Sequence, residues 1–319
     1  MLHGHKLISR KIKFICVCGG ILLVTIISQL HKKGLSFSST CSLKATNRGP
    51  HQFVVSFSYF GENDSEAKGY FEGISANAHL VQKFYPGWVI RVYHDISQRG
   101  TRKDDLDKLE EKFGDWVDFC FVGEVPGFGN LLRAQQNMWR YLTLSDPLVD
   151  FSLFRDLDSF INDREEKAVR QWLAGNYALH IMRDNPYHGT EILGFKKFCL
   201  IGGMWGARMD LGHRKIWSDS LINMLKYGRE AGELKMDQEA LGMFIWPHAV
   251  NIKGFALQHD SYFCENPDFQ LAGKILPFPT CRNESEVLNF VGSRRHVDKE
   301  PMTNKCPEAC RLNKNCTFC

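Results

Sequence analysis

The sequence predicts an α/β fold with a mostly parallel central sheet, preceded by one transmembrane helix, on three observations. Short apolar runs rich in β-branched and aromatic residues recur along the chain. Segments with helical spacing separate them, and one of the runs ends in two aspartates one residue apart. Strands alternating with helices of this length are the pattern of βαβ units. With 319 residues, 44% of them apolar, the chain can bury one large core or two modest ones, which excludes a disordered protein. Forty basic residues nearly balance 36 acidic ones, and the net charge of +4 is dispersed, so the surface is mixed and no nucleic-acid partner is expected.

The chain opens with basic residues 1–13, read as a cytosolic tail. Phe14 to Leu30 is 17 residues without a charge, the short end of what spans a bilayer, and is read as a signal anchor. A cleaved signal peptide is the alternative reading. The sequons at Asn63, Asn283 and Asn315 and the nine cysteines after the span favour an oxidising lumen. These features predict a single-pass type II protein of the Golgi or ER membrane, its body lumenal. Residues 31–51 are rich in Ser, Thr and Gly, show no period, and read as a stem.

The body, 52–293, follows in alternation. Strands are expected at Phe53–Phe60, Trp88–Tyr93, Trp116–Val122, Val149–Phe154 and Ala178–Met182, with a late apolar run at Phe255–Tyr262. Helical spacing marks Tyr70–Tyr85, ended by Pro86-Gly87, then Asp104–Phe113 and Leu131–Leu142. It continues at Arg164–Leu173, capped by Asn162 or Asp163, and at Arg214–Lys226 and Lys235–Trp246, the last stopped by Pro247. No internal repeat is evident.

The centre of the chain is Val149 to Ser159 (VDFSLFRDLDS), an apolar strand closing on Asp156 and Asp158. In an extended chain residues i and i+2 share a face, so the two carboxylates would stand side by side. Such a pair suits a hard divalent cation, Mn²⁺ or Mg²⁺, and the carboxyl end of a strand is where open α/β sheets bind ligands. A solvated acidic turn is the plain alternative. Further on, Gly202, Gly203 and Gly206 surround Trp205, whose indole could face a sugar ring or a nucleoside, or could simply fill the core. Asp237 lies in the first turn of a helix, where the dipole alone favours a carboxylate. His259 ends an apolar run and is a metal-ligand candidate, although a lone histidine is more often structural.

An apolar strand ending in Arg155-Asp156-Leu157-Asp158-Ser159, within an α/β body behind a signal anchor, resembles the metal-dependent glycosyltransferases of the GT-A fold. The likeness covers roughly Gln52 to Gly292 and rests on the order and type of motifs. It implies a GT-A-like sheet and transfer of a sugar from a nucleotide-sugar donor to a glycan or glycoprotein acceptor, assisted by Mn²⁺ or Mg²⁺. Asp158 would bind metal, Asp156 metal or ribose, and His259 would complete the shell. Arg140, in Met-Trp-Arg-Tyr-Leu, resembles the helix arginine preceding D-x-D and would lie near the donor, bordered by Gly202, Gly203 and Trp205. Asp237, in Met-Asp-Gln, resembles the acidic motif near the acceptor and would orient or deprotonate its hydroxyl; Asp184 competes for that role. The glycine- and lysine-bearing sequence that follows the late histidine in the glycogenin-like group is absent here, which leaves Asp260, or no side chain, in its place. A catalytically inactive glycan-binding domain and a metal-dependent phosphotransferase or hydrolase are the other classes that paired aspartates allow.

Residues 294–319 form a tail with Cys306, Cys310, Cys316 and Cys319 and few apolar residues. Their spacing lacks the paired C-x₂-C of structural zinc, so disulfides are expected. Cys264 and Cys281 could pair with each other or with the tail. Cys120 and Cys199 lie in apolar runs and are expected to be buried. That leaves Cys41, placed in the stem, to bridge two chains as a disulfide-linked homodimer.

Overall fold

A computed structural model describes residues 37–61, 67–100, 102–186, 199–230, 237–282, 290–293 and 305–318. Within Ser38–Cys319 they build a mixed α/β unit around one eight-stranded sheet. The strands are β1 (Gln52–Tyr59), β2 (Val89–His94), β3 (Val117–Phe121), β4 (Val149–Phe154), β5 (Leu179–Arg183), β6 (Trp205–Arg208), β7 (Ala256–Asp260) and β8 (Lys274–Leu276). Their order is β3-β2-β1-β4-β6-β5-β7-β8. Every pairing is parallel except those of β6, which runs antiparallel to both β4 and β5.

Apolar side chains on both faces explain why these runs became central strands. On one face Val55, Phe57, Val92, Val117, Leu153 and Leu257 pack with Ile74, Val81, Leu106 and Trp172. Those four come from α2 (Ala67–Phe84), α3 (Lys103–Phe113) and α4 (Asp163–Leu173), which follow a first short helix, α1 (Leu43–Asn47). On the other face Val54, Tyr93, Phe154, Ile181 and Trp205 meet Trp139, Trp217, Leu221 and Leu241. These come from a 3₁₀ segment at Gln136–Ser145, α5 (Arg214–Glu230) and α6 (Asp237–Phe244). Asn162 caps α4, its side chain accepting from Glu165 N.

From β1 the chain steps outward to β2 and β3, then returns to the other side of β1 as β4. The crossovers diverge at the carboxyl ends of β1 and β4, and in open α/β sheets that divergence opens a crevice.

Several expectations are corrected here. Leu131–Leu142 is not an amphipathic helix: residues Met138 to Leu144 are all buried, and the chain winds as 3₁₀ where no face can turn to water. Pro247 does not merely stop a helix but opens α7 (Trp246–Asn251), where the missing N–H costs nothing. The glycine-flanked segment at Trp205 is a strand.

The stretch read as stem belongs to the fold from Ser39 onward. Ser39 Oγ and Thr40 N both donate to Asp146 Oδ2, at 2.6 and 2.8 Å, and Cys41 is bonded to Cys120 within the chain. That intrachain disulfide buries Cys41 and overturns the Cys41-linked homodimer. Cys264–Cys310 and Cys281–Cys316 tie the tail to the body, as expected of disulfides rather than zinc. The span Phe14–Leu30 and the sequons at Asn63 and Asn283 lie outside the described residues. Among the described residues no helix is long and apolar enough to cross a membrane, so the assignment to a Golgi or ER membrane is withdrawn. The disulfides are compatible with a lumenal or secreted protein.

Candidate active site

The acidic motif is positioned by a clamp at the end of β4. Arg155 is buried, and its guanidinium donates to Phe154 O, Trp205 O and Glu165 Oε1 at 2.6, 2.9 and 2.8 Å. Strand end, β6 and α4 are thereby fixed together. The chain then turns instead of continuing extended, with Ser159 N donating to Asp156 O at 3.2 Å. Leu157 is buried in the turn, and its carbonyl accepts from Asn77 Nδ2 at 3.2 Å. Gly73 of α2 packs so closely on that carbonyl that a Cβ would overlap it. Ser159 Oγ donates to Gly292 O at 3.1 Å. Backbone and flanking residues are thus held, while Asp156 and Asp158 remain half-buried on either side of Leu157. The expectation of two carboxylates on one face of an extended strand is replaced by a turn that carries both residues just beyond β4.

Arg140 is the second element. Its backbone is pinned to β1, with N donating to Ser58 Oγ at 2.9 Å and O accepting from Ser56 Oγ at 2.7 Å. Its buried guanidinium pairs with Asp156 Oδ1 and donates to Asp237 Oδ2 at 2.6 Å. The Tyr141 hydroxyl lies 2.8 Å from the same Asp237 oxygen and 3.1 Å from Gly202 O. Gly202 and Gly203 complete the cluster because nothing larger fits. A Cβ at Gly202 would strike Asp237 and Arg140, and one at Gly203 would strike the Asp156 carboxylate. Burial alone would favour a neutral Arg140, but Asp156, Tyr141 and Asp237 outweigh it and raise its pKa well above the ordinary value. Burial likewise raises Tyr141 far above 10 against the opposing charge of Arg140, so its hydroxyl stays a donor.

Five expected site residues therefore meet: Arg140, Asp156, Gly202, Gly203 and Asp237. Asp158 lies in the same turn. Tyr141 joins them without having been foreseen, its only sequence signal being adjacency to Arg140.

Three expected residues lie elsewhere. His259 is fully buried on β7, about 14 Å from β4 at three strand spacings. Its Nδ1 is 2.8 Å from His180 Nε2 and its Nε2 is 2.9 Å from Gln171 Oε1. With both ring nitrogens engaged it has no lone pair for a metal, so the ligand expectation is corrected to a core histidine. Burial, then the charge of Arg164, lowers its pKa to about 3. Asp184 is fully buried and accepts from Arg164 Nε and Nη2, each at 2.8 Å, from the Ser261 hydroxyl, and from Val291 N at 2.9 Å. Burial alone would raise its pKa; Arg164 and Arg282 hold it below the usual range, which leaves no basic oxygen for an acceptor. Trp205 is buried against Phe154, with ring centroids 4.1 Å apart, and fills the core rather than facing a sugar.

Asp156 and Asp158 offer hard oxygen donors, and the space beside Asp156 is kept by Gly203 where a Cβ would fill it. These residues fit Mg²⁺ or Mn²⁺, which bind through one or two carboxylates and keep positions for water and phosphate. Asp260, Cys264 and Cys310 also converge, but Cys264 and Cys310 are disulfide-bonded and present no thiolate.

Comparison with protein-family models and with curated proteins returned no match. Among solved structures, the chain is similar to a glycosyltransferase involved in glycosylation of the major capsid of PBCV-1, at 15% identity, 73% of this chain, 96% of that one and a TM-score of 0.31. It is also similar to a 4-diphosphocytidyl-2C-methyl-D-erythritol synthase from Anaerococcus prevotii, at 12% identity, 60% and 84% coverage and a TM-score of 0.37. Mannosyl-3-phosphoglycerate synthase from Rubrobacter xylanophilus matches at 16% identity, 53% and 56% coverage and a TM-score of 0.33. Likenesses this distant carry no argument about the chemistry of this chain.

Proposed function

We propose that this chain transfers a sugar from a nucleotide-sugar donor to a glycan or glycoprotein acceptor with the help of a divalent cation. One observation carries the reading: a pair of half-buried carboxylates, fixed by their backbone at the crevice end of β4, with a buried arginine joining one of them to Asp237. Asp156 and Asp158 would hold Mn²⁺ or Mg²⁺, which when bound offsets the charge that develops on a departing diphosphate. Arg140 adds a permanent positive charge beside the same oxygens, kept in place by Ser56, Ser58 and Asp237. Gly202 and Gly203 let a ligand approach the backbone closely, and the Tyr141 hydroxyl ties that loop to Asp237. Asp237 Oδ2 is occupied by Arg140 and Tyr141, so its first task is to orient Arg140, and any acceptor hydroxyl must meet the other oxygen.

The test is turnover of a panel of nucleotide sugars by metal-stripped protein, before and after adding Mn²⁺ or Mg²⁺. Release of nucleoside diphosphate that requires the cation, and sugar appearing on an added glycan, is the expected result. Release of inorganic phosphate instead would make the protein a hydrolase. No turnover with any donor would leave a binding domain.

A further inference from the structure

At the opposite end of β1 from the acidic turn lies a cleft of about 620 Å³, lined by Arg48, His51, Phe53, Pro86 and Trp88 among others. The length of β1, eight residues, puts it about 20 Å from Asp156. His51 forms one wall and is the only non-glycine with positive φ among the described residues, at 66°. Such a conformation is unfavourable for a residue with a Cβ and persists only where the surroundings impose it. Here they do. Arg48 Nη1 and Nη2 donate to Asp115 O and Gly114 O, Arg48 Nε donates to Asp118, and the Gln52 amide donates to Ala45 O and Gly49 O.

The strained backbone projects an imidazole whose side chain is 81% exposed, with Nδ1 2.7 Å from Asp150 Oδ2. The other Asp150 oxygen takes Arg214 Nη2 at 2.6 Å, so the carboxylate is fixed on both sides. A carboxylate only accepts, so Nδ1 carries the proton, and Nε2 is the ring nitrogen left to hydrogen-bond a ligand. The floor is aromatic. Phe53, partly exposed, stands edge-on to Trp88 and Phe151, with ring centroids 5.4 and 4.3 Å away. The facing wall, Pro86-Gly87, is a tight turn closed by Trp88 N to Tyr85 O at 3.0 Å.

We infer that this cleft binds one ring of a neutral saccharide, away from the reaction centre. A pyranose offers an apolar face to an aromatic ring and a hydroxyl to an imidazole nitrogen, the two surfaces that the cleft presents. The choice of saccharide rests on the sugar-transfer reading above; the cleft itself does not. The site anchors a glycan several sugars long while a distant part of the same molecule, or a neighbouring one, reaches the acidic turn.

Saturation-transfer NMR on the full chain with maltotriose, cellotriose, mannotriose and tri-N-acetylchitotriose tests the inference. One of the four should show transfer, weakened at least tenfold in Phe53→Ala and in His51→Gly, and kept in Asp158→Asn. His51→Gly removes the imidazole where glycine suits the backbone, so it retains the fold. No transfer from any of the four in the wild type, or undiminished transfer in both variants, overturns the inference. Donor turnover is measured on the same preparations. Turnover without trisaccharide binding sinks only the cleft, and binding without turnover sinks only the transferase reading.

Discussion

Two aspartates follow an arginine at the carboxyl end of a sheet strand: Asp156 after Arg155 at β4, and Asp184 after Arg183 at β5. Each is paired with a further buried arginine, Arg140 in one case and Arg164 in the other. By residue type they are alike, but their surroundings differ. Asp184 has no exposed surface, and donors reach both its oxygens. The Asp156 side chain is 41% exposed, and its hydrogen-bonding partner is a guanidinium shared with Asp237. The contrast teaches that a carboxylate becomes available for chemistry through what is left unsaturated around it. A fully saturated buried pair is scaffold, and next to it His259 is likewise engaged through both ring nitrogens.

The contrast can be broken most decisively at Asp184. Asp184→Ala strands Arg164 in the interior and should cost about 3–5 kcal/mol in chemical denaturation. Asp158→Asn should leave the denaturation midpoint nearly unchanged and lower transfer at least about 10²-fold, more than loss of an outer-shell partner does. If Asp184→Ala proved stable and Asp158→Asn unfolded, the two regions would have exchanged roles.

A smaller effect is expected at His259. Replacing it with alanine leaves the His180 and Gln171 groups unpaired, a loss of about 2 kcal/mol. The Mn²⁺ dependence of the remaining activity should not move. A weakened dependence, seen as a raised half-saturating Mn²⁺ concentration, would restore His259 to the metal shell.

The remaining effect is that of pH. Burial, then the charge of Lys103, lowers His94 to about 4; burial and Arg164 bring His259 to about 3, and burial and His259 push His180 well below its usual value. These groups are neutral when folded, whereas in the unfolded chain they take up protons near pH 6.5. Their contribution to stability is therefore intact above pH 6.5 and is lost as pH falls toward 4 and 3. Thermal melts between pH 8 and 6.5 should show no change from this source. Below that, stability should fall by at most about 1.4 kcal/mol per pH unit for each histidine. A melting temperature that held level from pH 7 to 4.5 would show that the closed region opens to water.

Much of this molecule was legible in local pattern. The strand and helix alternation, the buried run of β4 and the Asn162 cap all depend on neighbours within a turn or a pleat. Periodicity and cap chemistry report those neighbours directly. Asp156 and Asp158 stood out for the same reason, since a charged pair ending an apolar run is a local feature. Tertiary structure decided the rest. Nothing near Trp205 announced that its segment would enter as the antiparallel β6 between β4 and β5 and turn the indole into the core. Cys41 met Cys120 from 79 residues away, and Arg140 met Asp237 across 97. His259 became a core residue because β5 placed His180 beside it. Partners at such separations are selected by packing and by the need to satisfy every buried charge, conditions that a window of sequence does not contain.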